Sequence, residues 1–259
     1  MSAGRIFVLA SNVFKEVVRE RIFYIIGFYG IILLALASLL PELAAATEHK
    51  MFPDFGLAAM SILGLIVAVF VGTGIVNKEI EKRTILMLIA KPVSRTEFVI
   101  GKYLGLIVVL TVLIAVMTAI FLSFLHYENI DYSLASIFIF VVFLLLQLSL
   151  ITAVALALSI FTNQLLATAL TFAVYLMGNI SQDILELGRT SRSLSIERLT
   201  QALYLVVPDL SRLDFKDDVL YGLNALPQPQ GLLFDAGYSL LYCIMILALT
   251  ILIFSQREF

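Results

Sequence analysis

The chain has 259 residues, of which 61% are hydrophobic and 14% are charged, and its formal net charge is −2. A mean hydropathy of +1.03 lies outside the range of soluble globular domains and within that of membrane proteins. The slightly negative charge and the lack of a basic recognition motif argue against nucleic acid as a partner. We therefore expect an all-α polytopic membrane protein, with a single transmembrane domain over residues 1–259 that lies in the lipid bilayer.

The first segment, residues 5–21, is amphipathic at helical spacing. Apolar residues occupy one half of its helical wheel, with Val8 as the one misfit: Ile6, Phe7, Leu9, Ala10, Val13, Phe14, Val17 and Val18. Polar and charged residues occupy the other half: Arg5, Asn12, Lys15, Glu16 and Arg19. This pattern predicts a helix that lies along a membrane surface. It differs from a cleavable signal peptide, which has a short basic start, an apolar stretch and a small-residue cleavage site.

Six later tracts have the roughly 20 apolar residues that an α-helix needs to cross about 30 Å of hydrocarbon. The predicted spans are residues 22–40, 55–76, 99–125, 134–160, 165–181 and 231–254. No charged residue lies between residue 132 and residue 182, and this tract is too long for one crossing. Its polar break at Thr162, Asn163 and Gln164 predicts a tight helical hairpin between the fourth and fifth spans.

The distribution of Lys and Arg predicts how these spans are oriented. An even number of spans places both termini on one side of the membrane. With the N-terminus inside, the inner segments hold eleven Lys and Arg residues and the outer segments hold six. Five of those six lie in the long segment, residues 182–230, beside seven acidic residues. The positive-inside rule thus predicts a multi-pass protein of the plasma (inner) membrane with cytoplasmic N- and C-termini.

Charge is concentrated in one short part of the chain, residues 77–98, which we call the charged segment. Nine of the 36 charged residues lie between Asn77 and Lys102. At about 2.5–3.5 kcal/mol each, they would cost roughly 20–30 kcal/mol at mid-bilayer depth. The charged segment is therefore predicted to be cytoplasmic. Apolar residues recur in it at helical spacing, which predicts a short amphipathic helix that Pro92 ends.

A second helix is predicted to begin at Ser94. Ser94 and Glu97 have the spacing of a capping box, so the helix should continue through Gly101 and Lys102 into the third span. The charged segment would then form a helix, an elbow and a helix under the membrane. On composition alone, a simple positive-inside anchor explains the same charges equally well.

The residue order in the charged segment resembles the cytoplasmic loop of type-2 ABC transporter permeases, the membrane subunits of ATP-driven exporters. In this chain it reads EKRTILMLIAKPVSRTEFVIGK, residues 81–102. The likeness is strongest to the permeases named for the maturation of multicopper enzymes. The amphipathic first segment resembles the elbow helix of the family, and VVPDLSRLD, residues 206–214, resembles a proline-containing piece before the last span. Arg83 departs from the pattern, since many members have Gly before the Thr.

The resemblance implies the permease subunit of an ABC exporter, which works with a separate ABC ATPase and with a second permease copy or a homologue. In that family the loop carries a cytoplasmic coupling helix that contacts the ATPase. The ATPase-coupling residues that the resemblance indicates are Glu79, Glu81, Lys82, Arg83, Thr84, Leu88, Pro92, Ser94 and Arg95.

The chain itself is not expected to be an enzyme or to bind a cofactor. Its Gly101-Lys102 pair is followed by Tyr103, and Thr96 stands where a phosphate-binding loop needs its first glycine. ATP and Mg²⁺ are therefore expected on the partner ATPase. We find no catalytic constellation and no metal-ligand spacing, because His49 and His126 both fall outside the predicted spans.

Polar residues within the fourth and fifth spans are candidates for lining a substrate path: Gln147, Thr152, Thr171, Tyr175 and Asn179. The alternative is that they hydrogen-bond to neighbouring helices or to their own backbone. Small residues four apart, Ala68 with Gly72 and Gly101 with Gly105, favour close helix packing. The long segment has an apolar stripe before Pro208, which predicts one or two short helices on the outer face and a lid over the exit.

Two other functions stay open on the sequence. A membrane-embedded assembly or scaffold subunit without transport would need a cytoplasmic partner as well. An ion-coupled secondary transporter usually has an ionisable residue within a span. Asp235, near the outer end of the last predicted span, is the only carboxylate in one.

Overall fold

A computed structural model describes residues 3–20, 22–43, 48–81, 94–130, 132–190, 194–220 and 228–256. Every regular element within these ranges is a helix, so the predicted all-α class is confirmed. In chain order the helices are α1 Ala3–Glu20, α2 Ile22–Leu43, α3 Glu48–Glu81, α4 Arg95–Tyr127, α5 Leu134–Phe161, α6 Gln164–Asn179, α7 Ser181–Thr190, α8 Leu194–Val206, the 3₁₀ helix Ser211–Leu213, α9 Lys216–Leu220 and α10 Pro229–Gln256.

Five of these helices are long and apolar enough to cross a membrane, namely α2, α3, α4, α5 and α10. The remaining predicted span is broken. α6 has 16 residues, which is about 24 Å at 1.5 Å per residue, and the chain bends by 57° between α6 and α7. Ser181, predicted at the end of the fifth span, instead begins α7. The two helices make a sixth crossing only if the bent pair is one span.

The polar break predicted between the fourth and fifth spans separates α5 from α6. α5 ends at Phe161, and its last turn is closed by the Thr162 amide, which donates to the carbonyl oxygen of Leu158. The side chain of Asn163 then caps α6, because its Oδ1 accepts a hydrogen bond of 2.9 Å from the amide of Leu166. Polar caps thus end one apolar helix and begin the next.

α5 is the centre of the bundle. It packs against α3, α4, α6 and α10, and 67% of its apolar window is buried, compared with 17% for α2 and 22% for α10. Close packing with α3 depends on small residues, since a Cβ added at Gly72 would lie 3.0 Å from the Cβ of Ala155. α2 and α10 are therefore the peripheral helices, and their apolar faces are left for lipid or for another chain.

The amphipathic α1 packs lengthwise against the first turns of α4. Arg5 lies 3.9 Å from Glu97, and a Cβ added at Gly101 or Gly105 would lie 2.7 Å from the Cβ of Leu9 or Val13, respectively. The contacts advance by four residues on both helices, so α1 and α4 run parallel. Val13 and Val17 are buried, whereas Phe7 is exposed. The amphipathic helix is thus confirmed, α4 covers part of its apolar side, and its position along a membrane surface stays a prediction.

Candidate functional site

The charged segment joins two long helices and includes the end of α3 and the start of α4. Glu79 and Glu81 belong to the end of α3, which continues without a break from Glu48, and Ser94 and Arg95 stand at the start of α4. The other predicted coupling residues lie outside the described residues: Lys82, Arg83, Thr84, Leu88 and Pro92. A displacement of residues 82–93 would therefore reach the bundle directly through α3 and α4.

The start of α4 is held by the predicted capping box, which is confirmed. The hydroxyl of Ser94 accepts a 3.2 Å hydrogen bond from the Glu97 amide, and the Glu97 carboxylate accepts one of 3.2 Å from the Ser94 amide. Glu97 is buried, and its carboxylate lies 3.9 Å from the guanidinium of Arg5 on α1. The same carboxylate thus caps α4 and contacts α1.

Arg95 joins this turn to the end of α10. Its guanidinium donates hydrogen bonds of 2.8 Å and 2.6 Å to the carbonyl oxygens of Phe254 and Ser255. A cation is favoured there, because the last carbonyls of a helix carry a partial negative charge. The rings of Phe98 and Phe254 stack with centroids 5.8 Å apart. The first turns of α4 therefore contact both α1 and α10.

Lys102 is a buried cation that the sequence did not single out as part of this site. It is 5% exposed, and its ammonium lies 5.8 Å from the ring centroid of Phe98, one helical turn earlier. The (i, i+4) spacing of an aromatic residue and a lysine was the available signal. Glu97 and Lys102 together place charged side chains inside the packed base of α4.

The structure brings three of the five predicted path residues together. The side-chain amide of Gln147 on α5 donates to Oδ1 of Asn179 on α6 over 3.2 Å, and Nδ2 of Asn179 donates to the carbonyl oxygen of Tyr175 over 3.1 Å. Thr152 and Thr171 are fully buried, and each donates over 2.7 Å to a carbonyl of its own helix. Contact of any of these side chains with a substrate stays a prediction.

A second polar site surrounds Asp209, at the opposite end of the bundle. Asp209 is 2% exposed, and its amide donates over 2.9 Å to the hydroxyl of Tyr238, near the start of α10. Its carboxylate accepts five hydrogen bonds, from Ser181 (3.1 Å), Gln182 (3.1 Å), Tyr204 (3.1 Å), Ser211 (2.6 Å) and Arg212 (2.9 Å). One residue thus connects α7, α8, the 3₁₀ turn and α10.

The charges of this site are stable at neutral pH. Burial by itself raises the pKa of the Asp209 carboxyl, but its hydrogen bonds, first those from Ser211 and Arg212, lower it by more, so the pKa lies below its ordinary value. Hydrogen bonds to Tyr204 and Asp209 raise the pKa of Arg212. The guanidinium also lies over the ring of Tyr238, 5.4 Å from its centroid. The buried carboxylate therefore stays ionised and paired.

The sequence motif at residues 206–214 indicated the segment that contains this site but did not indicate its central residue, Asp209. The motif VVPDLSRLD was singled out for its proline, whereas Asp209 and Arg212 make the ion pair. Their (i, i+3) spacing was the one local signal. Ser211 lies two residues after Asp209, and the remaining partners come from α7, α8 and α10, which no spacing rule connects.

Comparison with known families decides what the bundle is. The sequence model described as "ABC-2 family transporter protein" matches residues 8–259, from α1 to the end of α10 and across both polar sites. The chain belongs to the ABC-2 transporter family. The resemblance drawn from residues 81–102 is thereby confirmed at the level of the family, while the subgroup named for multicopper enzymes stays a prediction. No curated protein matches the chain closely enough to count as a relative.

Family membership assigns a role to the apolar helices. An ABC-2 protein is the membrane subunit, or permease, of an ABC transporter, and its partner is an ABC ATPase subunit. Together with the long apolar helices, this makes the chain a multi-pass membrane protein.

Proposed function

We propose that this ABC-2 permease is the membrane subunit of an ATP-driven exporter, and that residues 79–95 couple ATP hydrolysis on a separate ABC ATPase to movement of the bundle. The observation that carries the proposal is the base of α4. It directly follows residues 82–93, and its first turns contact α1 through Glu97 and α10 through Arg95. The charge of this part of the chain keeps it out of the hydrocarbon, on the cytoplasmic side together with both termini.

The contacts describe a route for motion from the ATPase into the membrane. A push on residues 82–93 moves the end of α3 and the start of α4. Ser94 and Glu97 prevent the first turn of α4 from unwinding. Arg95 and the stacked rings of Phe98 and Phe254 then carry the displacement to α10. Rigid helices with defined contacts are elements by which a local shift becomes a collective one.

The complete exporter would contain two ATPases and two permeases, the second permease being another copy of this chain or a homologue. ATP and Mg²⁺ bind to the ATPases. The exposed apolar faces of α2 and α10 are available to the second permease and to the lipid of the plasma membrane. The partly buried polar pair Gln147 and Asn179 supports a substrate path that passes along α5 and α6.

Charge reversal in the charged segment tests the proposed coupling. The permease and its ATPase are reconstituted together in liposomes, with Glu81→Lys or Arg83→Glu in the permease. We expect ATP hydrolysis by the assembled complex to fall severalfold, while insertion of the permease into the membrane is unchanged. Arg189→Glu, an exposed reversal at the other end of the bundle, is the matched control and leaves hydrolysis as in the wild type.

Two results would count against the proposal. Unchanged hydrolysis in both reversals would show that the charged segment is not the coupling element. An ATPase that binds and hydrolyses ATP without any ATP-dependent movement of a substrate would favour the assembly or scaffold subunit without transport.

A further inference from the structure

Residues 208–220, which we call the plug, return from the end of the bundle into its interior. Their apolar side chains are buried to the same degree as those of the spans: Leu210 (0% exposed), Leu213 (1%), Phe215 (6%) and Val219 (6%). The 3₁₀ turn of the plug contacts α5 and α10, and its helix α9 contacts α3 and α5. A connecting segment thus occupies space between α3, α5 and α10.

The plug packs against α5 and α6 close to their polar pair, Gln147 and Asn179. The Leu210 amide donates to the carbonyl oxygen of Gly178 over 3.1 Å, next to Asn179 on α6. The ring of Phe215 meets that of Phe143 edge to face, with centroids 4.7 Å apart, one helical turn before Gln147 on α5. The plug therefore contacts α5 and α6 within one helical turn of Gln147 and Asn179.

The surface that the plug contacts, which we call its seat, fits the plug backbone closely at Gly178 of α6. A Cβ added at Gly178 would lie 2.7 Å from the carbonyl oxygen of Pro208 and 2.8 Å from the side chain of Leu210. Such an approach leaves no room for a side chain on α6 at this position. The plug and α6 are thus complementary in shape.

Asp209 holds the plug in this seat. Its carboxylate accepts hydrogen bonds from Ser181 and Gln182 of α7, and its amide donates to Tyr238 of α10, so both walls of the seat bind the same residue. Within the long segment, Tyr204 and Arg212 complete its coordination. Hydrogen bonds to a buried charged group are stronger than those between neutral groups. Release of the plug requires all of these bonds to exchange with water.

We propose that residues 208–220 are a gate at this end of the permease, that Asp209 is the latch that keeps the gate closed, and that the transport cycle releases it. This inference rests on the proposed exporter function, because the opened seat would connect the polar pair of α5 and α6 to the outer face. The latch itself is a property of the folded permease and can be measured without ATP.

The rate of thiol labelling in the plug tests whether Asp209 keeps the gate closed. With Cys243→Ala as background, Leu213→Cys and, separately, Val219→Cys place a single reporter thiol in the plug, in the full-length permease in lipid nanodiscs. The probe is the membrane-impermeant reagent sulfonatoethyl methanethiosulfonate. We expect Asp209→Asn to raise the labelling rate of both reporters about tenfold or more, as the loss of a charge-assisted bond implies. Asp183→Asn, an exposed carboxylate of α7, is the matched control and leaves both rates unchanged.

Three outcomes of labelling would overturn the latch. One is an equal rate with and without Asp209→Asn. Another is a rise at residue 213 alone, because the plug would then not move as a unit. The third is equal labelling of Leu150→Cys, a fully buried position in α5, because Asp209 would then support the whole fold rather than the gate.

An experiment with the ATPase distinguishes failure of the proposed gate from failure of the proposed exporter function. In the complex with the ATPase, Mg·ATP should raise labelling of Leu213→Cys in a permease with Asp209 intact. ATP hydrolysis without this rise would overturn the gate and leave the exporter function standing. Failure of any ATPase to associate would instead contradict the exporter function, while the ATP-free rates would still decide the latch.

Discussion

Buried charged residues at the two ends of the bundle have different surroundings. Glu97, at one end, caps its own helix and contacts Arg5 of α1. Asp209, at the other end, accepts hydrogen bonds from five side chains of three segments. A buried carboxylate without partners would cost several kcal/mol, so each of these groups is stable only while its neighbours stay in place. The two buried carboxylates thereby favour one arrangement of the helices at each end of the bundle.

The close approach of α1 and α4 predicts a clear difference between two glycines. Gly105→Ala places a Cβ 2.7 Å from the Cβ of Val13 and 2.9 Å from the backbone oxygen of Ala10, which cannot move aside alone. Overpacking of this kind costs about 1–3 kcal/mol, which outweighs the roughly 1 kcal/mol that Ala gains over Gly in a helix. We expect the apparent Tm in detergent to fall by a few degrees.

Gly27→Ala is the matched control, because a Cβ at Gly27 of α2 meets nothing within 4 Å. Its apparent Tm should stay equal to the wild-type value or rise slightly. Equal Tm values for the two variants would show that α1 does not pack on α4 in this way.

The pKa of Asp209 predicts how the plug responds to acid. Because the folded pKa lies below the ordinary value, the stabilisation by Asp209 is fully present above about pH 4 and is lost as the pH falls through the folded pKa. Arg212, Tyr204 and, from α10, Tyr238 and Asp235 face this group. We expect the plug to stay seated from pH 8 to pH 5 and to leave its seat only below about pH 4.

Fluorescence gives the measurement, since the chain has no Trp of its own. Phe215→Trp places a single reporter in the plug, and its emission should shift to longer wavelength only below about pH 4. A transition between pH 5 and pH 7 would contradict the assignment. When Asp209→Asn is added to the Trp variant, the transition below about pH 4 should be absent.

At the scale of elements, α3 and α4 are the two levers of the proposed mechanism. α3 has 34 residues and α4 has 33, so each is about 50 Å long and exceeds the hydrocarbon thickness by about 20 Å. The excess length allows both helices to reach the charged segment while they still span the membrane. The base of α4 is anchored on two sides, because its first turns contact α1 and α10.

Loosening the base of α4 should uncouple the permease without removing its partner. Ser94→Ala removes the cap, at a cost of about 1 kcal/mol, and Arg95→Ala removes two hydrogen bonds to the end of α10. In the double variant we expect the ATPase to remain bound, while ATP hydrolysis by the complex falls severalfold.

Arg198→Ala, an exposed arginine of α8, is the control for this variant and should leave hydrolysis unchanged. Wild-type hydrolysis in the double variant, measured on complexes of equal composition, would show that the base of α4 does not carry the motion.

Most elements of the fold follow from local sequence, and the exceptions have physical reasons. Apolar length alone locates the long spans, and the Ser94–Glu97 spacing locates the start of α4 because a cap acts within one turn. The 57° bend after Asn179 was not predicted, since the tract around it carries no Pro and its polar residues do not by themselves specify a bend. The parallel packing of α1 on α4 was missed as well, because two glycines four apart do not reveal which helix they meet.

The Asp209 site is the clearest limit of local reasoning. Its partners are spread from Ser181 to Tyr238 and meet only after the long segment folds back on the bundle. Composition marks that segment as amphipathic and predicts one or two short helices, whereas the structure contains α7, α8, a 3₁₀ turn and α9. The additional helices depend on tertiary contacts, which leave no periodic pattern in the sequence.

At the scale of the whole molecule, the bundle has a central helix, a base and a closed end. α5 packs against α3, α4, α6 and α10, the base of α4 contacts α1 and α10, and the plug fills the end around Asp209. α10 contacts both polar sites, through Phe254 at the base and Tyr238 at the plug. The proposed cycle therefore uses α10 to connect the ATPase side to the gate.

Co-purification tests the central claim most directly. The tagged permease is extracted from its native membrane in mild detergent, and the chains that accompany it are identified and quantified by mass spectrometry. We predict a stoichiometric ABC ATPase that is lost when Glu81→Lys and Arg83→Glu are combined and is retained with Arg189→Glu. If no ATPase accompanied the wild-type chain even after cross-linking, the charged segment would be a membrane anchor and the exporter account would be contradicted.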